Sequence, residues 1–194
     1  MFRFLDLIIS IFGIILLLPL MILISILISL GSDGCIIFSQ KRVGKNGIHF
    51  NIYKFRTMVV TQNEGLLLTT INDKRITKIG KILRSSKFDE IPQLFNVIKG
   101  DMSIVGPRPE VPRYVKYYNK EQIKILSIKP GITDIASIEF SNENDILANA
   151  EDPEQYYISQ IMPRKIDLNM VFLKNKSIRT YLSIILKTIK LFFK

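Results

Sequence analysis

The chain opens with a long uncharged stretch, residues 7–32, in which apolar side chains follow one another almost without interruption. A helix that crosses a bilayer needs roughly 20 apolar residues, so this stretch predicts a membrane anchor. A signal peptide would have a more basic start and an Ala-x-Ala-like cleavage site. Here Arg3 is balanced by Asp6, and no such site follows the run. We therefore expect an anchor that is retained.

Pro19 lies near the middle of this anchor. A proline inside a helix removes a backbone hydrogen bond and clashes with the preceding turn, so a kink is expected. The segment then either spans the bilayer with a bend or dips in and returns to the face it entered. Physics alone favours spanning, because prolines are common in spanning helices. Lys41, Arg42 and Lys45 follow closely, which places the body of the protein in the cytoplasm by the positive-inside tendency.

Next to the anchor the pattern predicts a β-hairpin. Residues 36–43 and 49–58 are rich in strand formers and flank a turn at 44–47. Lys54 and Arg56 on the second strand are candidates to face a phosphate, with ordinary solvated or snorkelling charges as the alternative.

A loop is expected over residues 62–72, and a basic helix follows it. From Ile76 onward apolar residues recur at helical spacing, with lysines and arginines between them. The basic face of such a helix is either solvated or in contact with anionic lipid headgroups.

The following helix has clear signals at both ends. Asp89 and Glu90 stand at its expected start, where Asp89 or the serines at 85 and 86 serve as caps. Pro92 fits the first turn, and Gly100 fits just past the last one. Residues 101–112 then predict a turn-rich loop, because prolines exclude a helix there.

The C-terminal half predicts short elements and one amphipathic helix. We expect a helix over 111–128, a strand over 132–140, an acidic surface segment over 141–152, and helices over 153–161, 166–173 and 178–193. The last helix carries basic residues on one face and apolar residues on the other, which is typical of a helix in the membrane interface. Packing against the core is the alternative.

These elements predict an α+β fold that is mostly helical, with interfacial amphipathic helices and a hairpin near the membrane. We expect three parts: an anchor at 1–32, a catalytic domain at 33–177 and an interfacial helix at 178–194.

Composition narrows the class of partner. The 194 residues include 27 Lys+Arg and 17 Asp+Glu, a formal net charge of +10, which indicates an anionic partner. No nucleic-acid-binding motif is present, so we expect no nucleic acid partner. The single cysteine, Cys35, excludes an internal disulfide, and the lone His49 gives no support to a Ser-His-Asp mechanism.

The candidate chemistry centres on Asp89 and Glu90. A carboxylate at a helix N-terminus is kept ionised by the helix dipole, so Asp89 is a candidate nucleophile on phosphorus or a ligand of Mg²⁺. Glu90 is a candidate second metal ligand or proton acceptor. Arg84 and Arg108 offer forked donors for phosphate oxygens. For an isolated pair of acids, a helix cap paired with arginines would be the better interpretation.

The pair is not isolated, because four blocks of this sequence resemble the bacterial sugar transferases, the small monotopic phosphoglycosyl transferases. The blocks are Lys54-Phe-Arg-Thr-Met58, Arg84-x4-Asp89-Glu90-x-Pro92-Gln93-Leu94-x-Asn96-Val97, Gly100-Asp101-Met102-Ser103-x-Val105-Gly106-Pro107-Arg108-Pro109 and Lys129-Pro130-Gly131-Ile132-Thr133. The likeness extends over nearly the whole chain.

The resemblance implies a transfer of sugar 1-phosphate from a UDP-sugar to undecaprenyl phosphate with release of UMP, an early membrane step of glycoconjugate synthesis. It implies a covalent phosphosugar on Asp89, Mg²⁺ as the cofactor, Glu90 as the partner of Asp89, and phosphate or nucleotide contacts from Arg84 and Arg108. Pro19 matches the family's anchor proline, which breaks the anchor into a re-entrant helix-break-helix. That reverses the preference for spanning and places both helix ends and the catalytic domain on the cytoplasmic face of the bacterial inner membrane, among its lipids. A homodimer stays open.

The chain also departs from the family pattern. Leu18 precedes Pro19 where relatives often have Ser, residues 134–137 read Asp-Ile-Ala-Ser instead of Gly-Trp-Ala-Gln, and Asn169 stands where Asp is common. These departures leave the identity of the sugar open. A non-catalytic, membrane-bound basic scaffold is the alternative function, but it would need no Asp-Glu pair. A multi-spanning transferase would need more apolar segments.

Overall fold

The computed structural model describes residues 2–31, 33–59, 73 and 75–191. Its helices are α1 Arg3–Gly31, α2 Lys78–Ser85, α3 Gln93–Lys99, α4 Pro112–Val115, α5 Ile135–Glu139, α6 Glu143–Ala148, α7 Pro153–Tyr156, α8 Met162–Lys174 and α9 Ile178–Leu191. Its strands are β1 Ile37–Val43, β2 His49–Phe55, β3 Ser103–Val105 and β4 Gly131–Thr133. The predicted α+β fold, mostly helical with small sheets, is confirmed.

The long helix α1 is apolar enough to cross a membrane, with a mean hydropathy of 3.1 over its most apolar window. Its 29 residues give it a contour length of about 44 Å at 1.5 Å per residue. The helix continues through Pro19, so the break predicted there is not confirmed.

One stripe of α1 faces the rest of the protein. Phe2, Asp6 and Ser10 are buried near its start, and Met21, Ile24 and Ile28 are buried toward its end. Spacings of three and four residues place these side chains on one helical face. The first end packs with Val97, Met102 and Tyr181, and the second packs with Phe55 and Leu83. The opposite face exposes large apolar side chains, among them Phe4, Phe12, Ile15, Leu16 and Leu30.

The predicted hairpin is confirmed. β1 and β2 pair antiparallel from Ile37–Phe55 to Val43–His49, and a 3-10 turn at Lys45–Gly47 joins them. Asn96 of α3 attaches this hairpin to the helix that follows the acidic pair. Its Oδ1 accepts from the backbone N–H of Tyr53 at 3.0 Å, and its Nδ2 donates to the carbonyl of Asn51 at 2.7 Å.

A second small sheet brings two of the sequence blocks together. β3 and β4 pair in parallel, with Ser103 opposite Gly131 and Val105 opposite Thr133. The strands approach so closely that a Cβ at Gly131 would lie 2.1 Å from the backbone nitrogen of Gly106. The loop that carries Arg108 is therefore held against the turn that precedes β4.

Two predicted elements are wrong. The helix over 111–128 is replaced by α4 and a 3-10 segment, Gln122–Ser127. Asn119 interrupts it, because its side-chain oxygen accepts from the backbone N–H groups of Glu121 and Gln122. The strand over 132–140 ends at Thr133, since Asp134 caps α5 by accepting from the N–H of Ser137 at 2.8 Å. The predicted loop at 62–72 lies outside the described residues.

The last helices agree with the prediction more closely. α7 leads through a π-helical turn, Tyr157–Ile161, into α8. In α9, Tyr181 and Ile184 are buried in the core, whereas Leu182, Leu186 and Ile189 are exposed. This helix therefore has one apolar side packed on the domain and another turned outward.

Candidate active site

The acidic pair lies in a tight turn between α2 and α3. Lys87 adopts a left-handed conformation, φ 57°, and reverses the chain after α2. Asp89 and Glu90 then form a 3-10 turn, and α3 begins only at Gln93, with Pro92 at its cap position. The pair therefore precedes the helix rather than opening it, while Gly100 ends α3 as predicted.

Glu90 is held between two cations from distant parts of the chain. Its Oε1 lies 2.7 Å from Lys54 Nζ and 2.7 Å from Arg108 Nη2, and its Oε2 accepts from Arg108 Nη1 at 3.3 Å. Burial alone would raise the pKa of Glu90, but the charges of Arg108 and Lys54 outweigh it and hold that pKa well below the usual value. Glu90 is thus an anion whose charge is balanced by Lys54 and Arg108.

Asp89 is in a different electrostatic state although it is the adjacent residue. It is 6% exposed and has no hydrogen-bond partner among the described residues. Burial raises the pKa of its carboxyl, the charge of Lys54 opposes the rise, and the charge of Glu90 adds to it. Asp89 therefore differs from the expectation: it lies in the turn before α3 and not at the helix N-terminus, and burial raises the pKa that the helix dipole was expected to lower.

The predicted cations separate into two groups. Lys54 and Arg108 contact Glu90, as described above. Arg84 donates from Nε to Thr57 Oγ1 at 3.0 Å, and its charge is among those that favour ionised Asp89. Arg56 is buried and donates to the carbonyl of Asp33, just beyond α1. Their roles toward substrate stay predictions.

Sequence reasoning missed the importance of Asp134. This side chain is 1% exposed and accepts from the backbone N–H of Arg108 at 3.1 Å and from Asn169 Nδ2 at 3.2 Å. It also accepts from the hydroxyl of Ser137 at 2.8 Å. Asp134 and Asn169 are both departures from the family pattern, and the structure brings them together. In the sequence, the signal that could have pointed to this contact was that both residues depart from the family pattern.

Asp6 was also missed. It is 3% exposed and accepts from Ser103 Oγ at 2.8 Å, from the N–H of Ile104 at 2.8 Å and from the hydroxyl of Tyr181 at 2.5 Å. These contacts join α1, β3 and α9. Because β3 leads directly into the loop of Arg108, Asp6 helps to position that loop.

The residues present fit a magnesium ion that is held partly by the phosphates of a substrate, but not one that is held by protein ligands alone. The described part of the chain contains no cluster of three or more Asp, Glu, His or Cys side chains. Mg²⁺ is often held by one or two carboxylates together with substrate phosphates and water. Asp89 offers such a carboxylate, while Glu90 is occupied by Lys54 and Arg108. The donor set therefore suits an ion that binds together with a diphosphate.

Comparison with known proteins defines the class. The profile of the family described as bacterial sugar transferase matches residues 1–194, so the chain belongs to this family.

Three relatives illustrate the range of similarity. A UDP-N-acetylgalactosamine-undecaprenyl-phosphate N-acetylgalactosaminephosphotransferase of Aeromonas hydrophila is 35% identical over 192 residues, which cover 97% of this chain and 42% of the relative. A UDP-glucose:undecaprenyl-phosphate glucose-1-phosphate transferase of Klebsiella pneumoniae is 39% identical, over 87% of this chain and 38% of the relative. A putative undecaprenyl-phosphate N-acetylgalactosaminyl 1-phosphate transferase of Bacillus subtilis is 42% identical, over 61% of this chain and 67% of the relative. The chain spans about two fifths of the length of the first two.

Proposed function

We propose that this protein transfers a sugar 1-phosphate from a UDP-sugar to undecaprenyl phosphate and releases UMP, as a membrane step of glycoconjugate synthesis. The names of the relatives support the two substrates. The observation that carries the proposal is Asp89, 6% exposed and without a hydrogen bond from another described residue, beside a Glu90 that Lys54 and Arg108 neutralise. A scaffold would need no carboxyl in such a desolvated place, because burial disfavours its charged form.

The proposed reaction has two displacements at one phosphorus. A carboxylate oxygen of Asp89 attacks the phosphorus that carries the sugar, the bond from that phosphorus to the bridging oxygen breaks, and UMP leaves with the bond's electron pair. The product is an acyl phosphate on Asp89 that bears the sugar. A phosphate oxygen of undecaprenyl phosphate then attacks the same phosphorus, and the Asp89 carboxylate leaves. A lipid-linked sugar diphosphate is formed.

The cations around Asp89 suit the negative charge of the donor's diphosphate. Arg84 would contact phosphate oxygens through the donors that it does not use on Thr57 and Met58. Arg108 and Lys54 hold Glu90 beside Asp89, so the adjacent carboxylate does not add a free negative charge. Mg²⁺ bound by Asp89 and the diphosphate would neutralise negative charge on the donor. Arg56, buried beside Asp33, is assigned a structural role at the end of α1.

We further propose that α1 is re-entrant, with both ends and the domain on the cytoplasmic face of the inner membrane. Both ends of the helix pack against the same domain, which supports this geometry. The exposed apolar side of α1 and the outward residues of α9 would then contact lipid. The hydrophobic lipid substrate would meet Asp89 at this interface.

The activity is tested with purified protein, Mg²⁺, undecaprenyl phosphate and a panel of UDP-sugars. We expect UMP to be released with at least one donor. In the absence of undecaprenyl phosphate, we expect a burst of about one UMP per protein and an intact-protein mass increased by one sugar phosphate. Turnover without a burst or a mass increase would exclude the covalent intermediate but keep the transferase. No UMP from any donor would argue for the scaffold.

Topology is tested with a membrane-impermeant thiol reagent. Cys35, exposed and close to the end of α1, reports one side of the membrane. A cysteine added before Met1 in a Cys35→Ser background reports the other end of the helix. A re-entrant α1 predicts that both cysteines are labelled from the cytoplasmic side. Labelling from opposite sides would restore the spanning geometry.

A further inference from the structure

The loop that carries Arg108 offers few points of attachment, because prolines flank the arginine. Pro107 and Pro109 have no backbone N–H, so Arg108 supplies the single backbone donor of these three residues. This N–H donates to Oδ2 of Asp134 at 3.1 Å. The acceptor is a side chain rather than a backbone carbonyl, so the bond depends on which residue stands at position 134.

Backbone contacts hold only the start of the same loop. Gly106 donates to the carbonyl of Thr133 at 3.0 Å, and Gly131 donates to the carbonyl of Pro107 at 3.0 Å. These two bonds continue the parallel pairing of β3 with β4. They stop short of Arg108, whose own backbone is fixed by the side-chain bond.

Asp134 is well placed to fix another residue, because it is itself held from two helices. It is 1% exposed, and its Oδ1 accepts from the backbone N–H of Ser137 at 2.8 Å and from Asn169 Nδ2 at 3.2 Å. Its Oδ2 accepts from the hydroxyl of Ser137 at 2.8 Å in addition to the N–H of Arg108. The carboxylate therefore joins the loop to α5 and α8. Because it is buried, its effect on a reaction must pass through a neighbour.

Capping of α5 accounts for only one of the two carboxylate oxygens. An N-cap needs one side-chain oxygen, and serine or asparagine serves about as well as aspartate. Oδ1 fills this role by accepting from the N–H of Ser137. Oδ2 makes the contact with Arg108, which a serine at position 134 would be too short to reach.

The guanidinium of Arg108 makes a contact that depends on accurate placement of its backbone. Its Nη2 lies 2.7 Å from Glu90 Oε1, and its Nη1 lies 3.3 Å from Glu90 Oε2. Such forked pairs are geometrically specific, and a displacement of about 1 Å in an active site can cost about 10²-fold in rate. The longer bond is already at the upper end of the usual range. A small shift of the Arg108 backbone would therefore break the fork.

We propose that Asp134 is a positioning residue of the active site: by accepting the backbone N–H of Arg108, it holds the Arg108 guanidinium in its forked contact with Glu90. Asp134 does not touch the substrate, and its influence on the reaction passes through Arg108. The effect on turnover rests on the proposed function, whereas the contact itself is measurable without substrate.

The first test measures hydrogen exchange of the Arg108 N–H by NMR in the full-length protein in detergent, without substrate. Isotope-labelled arginine makes this N–H observable, and Arg108→Lys identifies its signal by removing it. Asp134→Ser keeps a cap for α5 but loses Oδ2, so exchange should become about tenfold faster, the worth of one hydrogen bond. Asp152→Ser makes the same change at the cap of α7, where Asp152 accepts from the N–H of Gln155, and should leave the exchange rate unchanged.

The second test is a double-mutant cycle on kcat for UMP release. Asp134→Ser should lower kcat about tenfold in the wild-type background. With Arg108→Ala already present, it should lower kcat less than about twofold, because the side chain that it positions is gone. A change that acts only on the stability of the fold would lower kcat by the same factor in both backgrounds. Asp152→Ser should affect neither.

Two results would overturn the proposal. An Arg108 N–H that exchanges in the wild type as fast as an unstructured amide would show that Asp134 does not hold it, and this measurement needs no variant to fold. Equal losses of kcat with and without the Arg108 side chain would show that Asp134 acts on the fold alone. A wild type that releases no UMP from any donor would refute the transferase, and the exchange rates would still decide whether Asp134 positions Arg108.

Discussion

Two regions of the protein bury a carboxylate, and they treat it in opposite ways. At the start of α1, Asp6 is 3% exposed and accepts from Ser103, Ile104 and Tyr181. In the turn before α3, Asp89 is 6% exposed and has no hydrogen-bond partner among the described residues. A buried carboxylate that accepts from three protein donors ties elements of the fold together, whereas one that accepts from none of the described residues stays available for chemistry. The comparison separates an acid that organises the structure from one that reacts.

The largest effect is expected from Asp89→Asn. The amide is a poor nucleophile, so UMP release should fall by at least about 10³-fold. Because the pKa of Asp89 is raised, its ionisation disfavours the folded state as pH rises above the ordinary value of 3.8. The same variant should therefore unfold at a higher temperature than the wild type at neutral pH.

Asp145→Asn is the control, since Asp145 is exposed on α6 and should affect neither property. An Asp89→Asn protein that is both inactive and less stable would mean that Asp89 supports the fold, which would remove the contrast with Asp6.

Glu90→Gln should come next. It leaves Lys54 and Arg108 without their shared counter-charge, and losing one preorganised electrostatic group typically costs about 10²-fold in rate. The measurement is kcat/KM for UMP release. Glu121→Gln removes an exposed ion pair with Lys124 and should leave the rate unchanged. Equal rates for Glu90→Gln and wild type would show that Glu90 is not needed to set the charge around Asp89.

The pH profile should show an acid limb from Asp89 alone. Activity requires the carboxylate, so it falls as pH decreases through the raised pKa of Asp89, about tenfold per unit below it. Glu90 stays ionised across this window, because Arg108 and Lys54 overcome the effect of burial and depress its pKa. An acid limb at or below pH 3.8 in kcat/KM would contradict the effect of burial on Asp89.

Asp6→Asn should act mainly on stability. Hydrogen bonds to a charged group contribute about 1.5–3 kcal/mol, and the amide keeps only part of them. Thermal unfolding in detergent should therefore occur several degrees lower, while activity at low temperature changes little. Asp167→Asn, on the exposed side of α8, provides a surface comparison. A variant that loses activity without losing stability would assign Asp6 a direct part in the reaction.

Tyr181→Phe should give the smallest change. It removes one donor to Asp6 but keeps the ring stacked on Phe2, whose centroid lies 4.6 Å away. A loss of about 1 kcal/mol is expected from chemical unfolding. Combining it with Asp6→Asn should give less than the sum of the two effects, because both variants remove the same hydrogen bond. Additive effects would mean that the two side chains act independently.

Local signals predicted the parts of the fold that local physics decides. The anchor, the hairpin and the end of α3 at Gly100 follow from apolar run length, strand formers and turn residues. The helix over 111–128 failed because one side chain, Asn119, competes for backbone N–H groups, and its preference for doing so is not visible in the apolar periodicity.

The residues of the site could be predicted from the sequence, but the charges that control their carboxyl groups could not. The sequence blocks contain Asp89, Glu90, Lys54 and Arg108, and the pairing of Glu90 with two cations depends on contacts across 36 and 18 residues. Whether burial or a nearby charge controls a carboxyl depends on those contacts. For the same reason, the contact between Asp134 and Asn169, 35 residues apart, became visible only in three dimensions.

The stripe of buried residues on α1 has a practical consequence for handling the protein. Phe2, Met21, Ile24 and Ile28 are members of the hydrophobic clusters that hold the domain together. A chain shortened before Asp33 would lose the long apolar helix α1 and, with it, one wall of these clusters. We expect such a chain to aggregate instead of yielding a water-soluble enzyme. Detergents or nanodiscs for this protein are then best chosen by the melting temperature of the whole molecule.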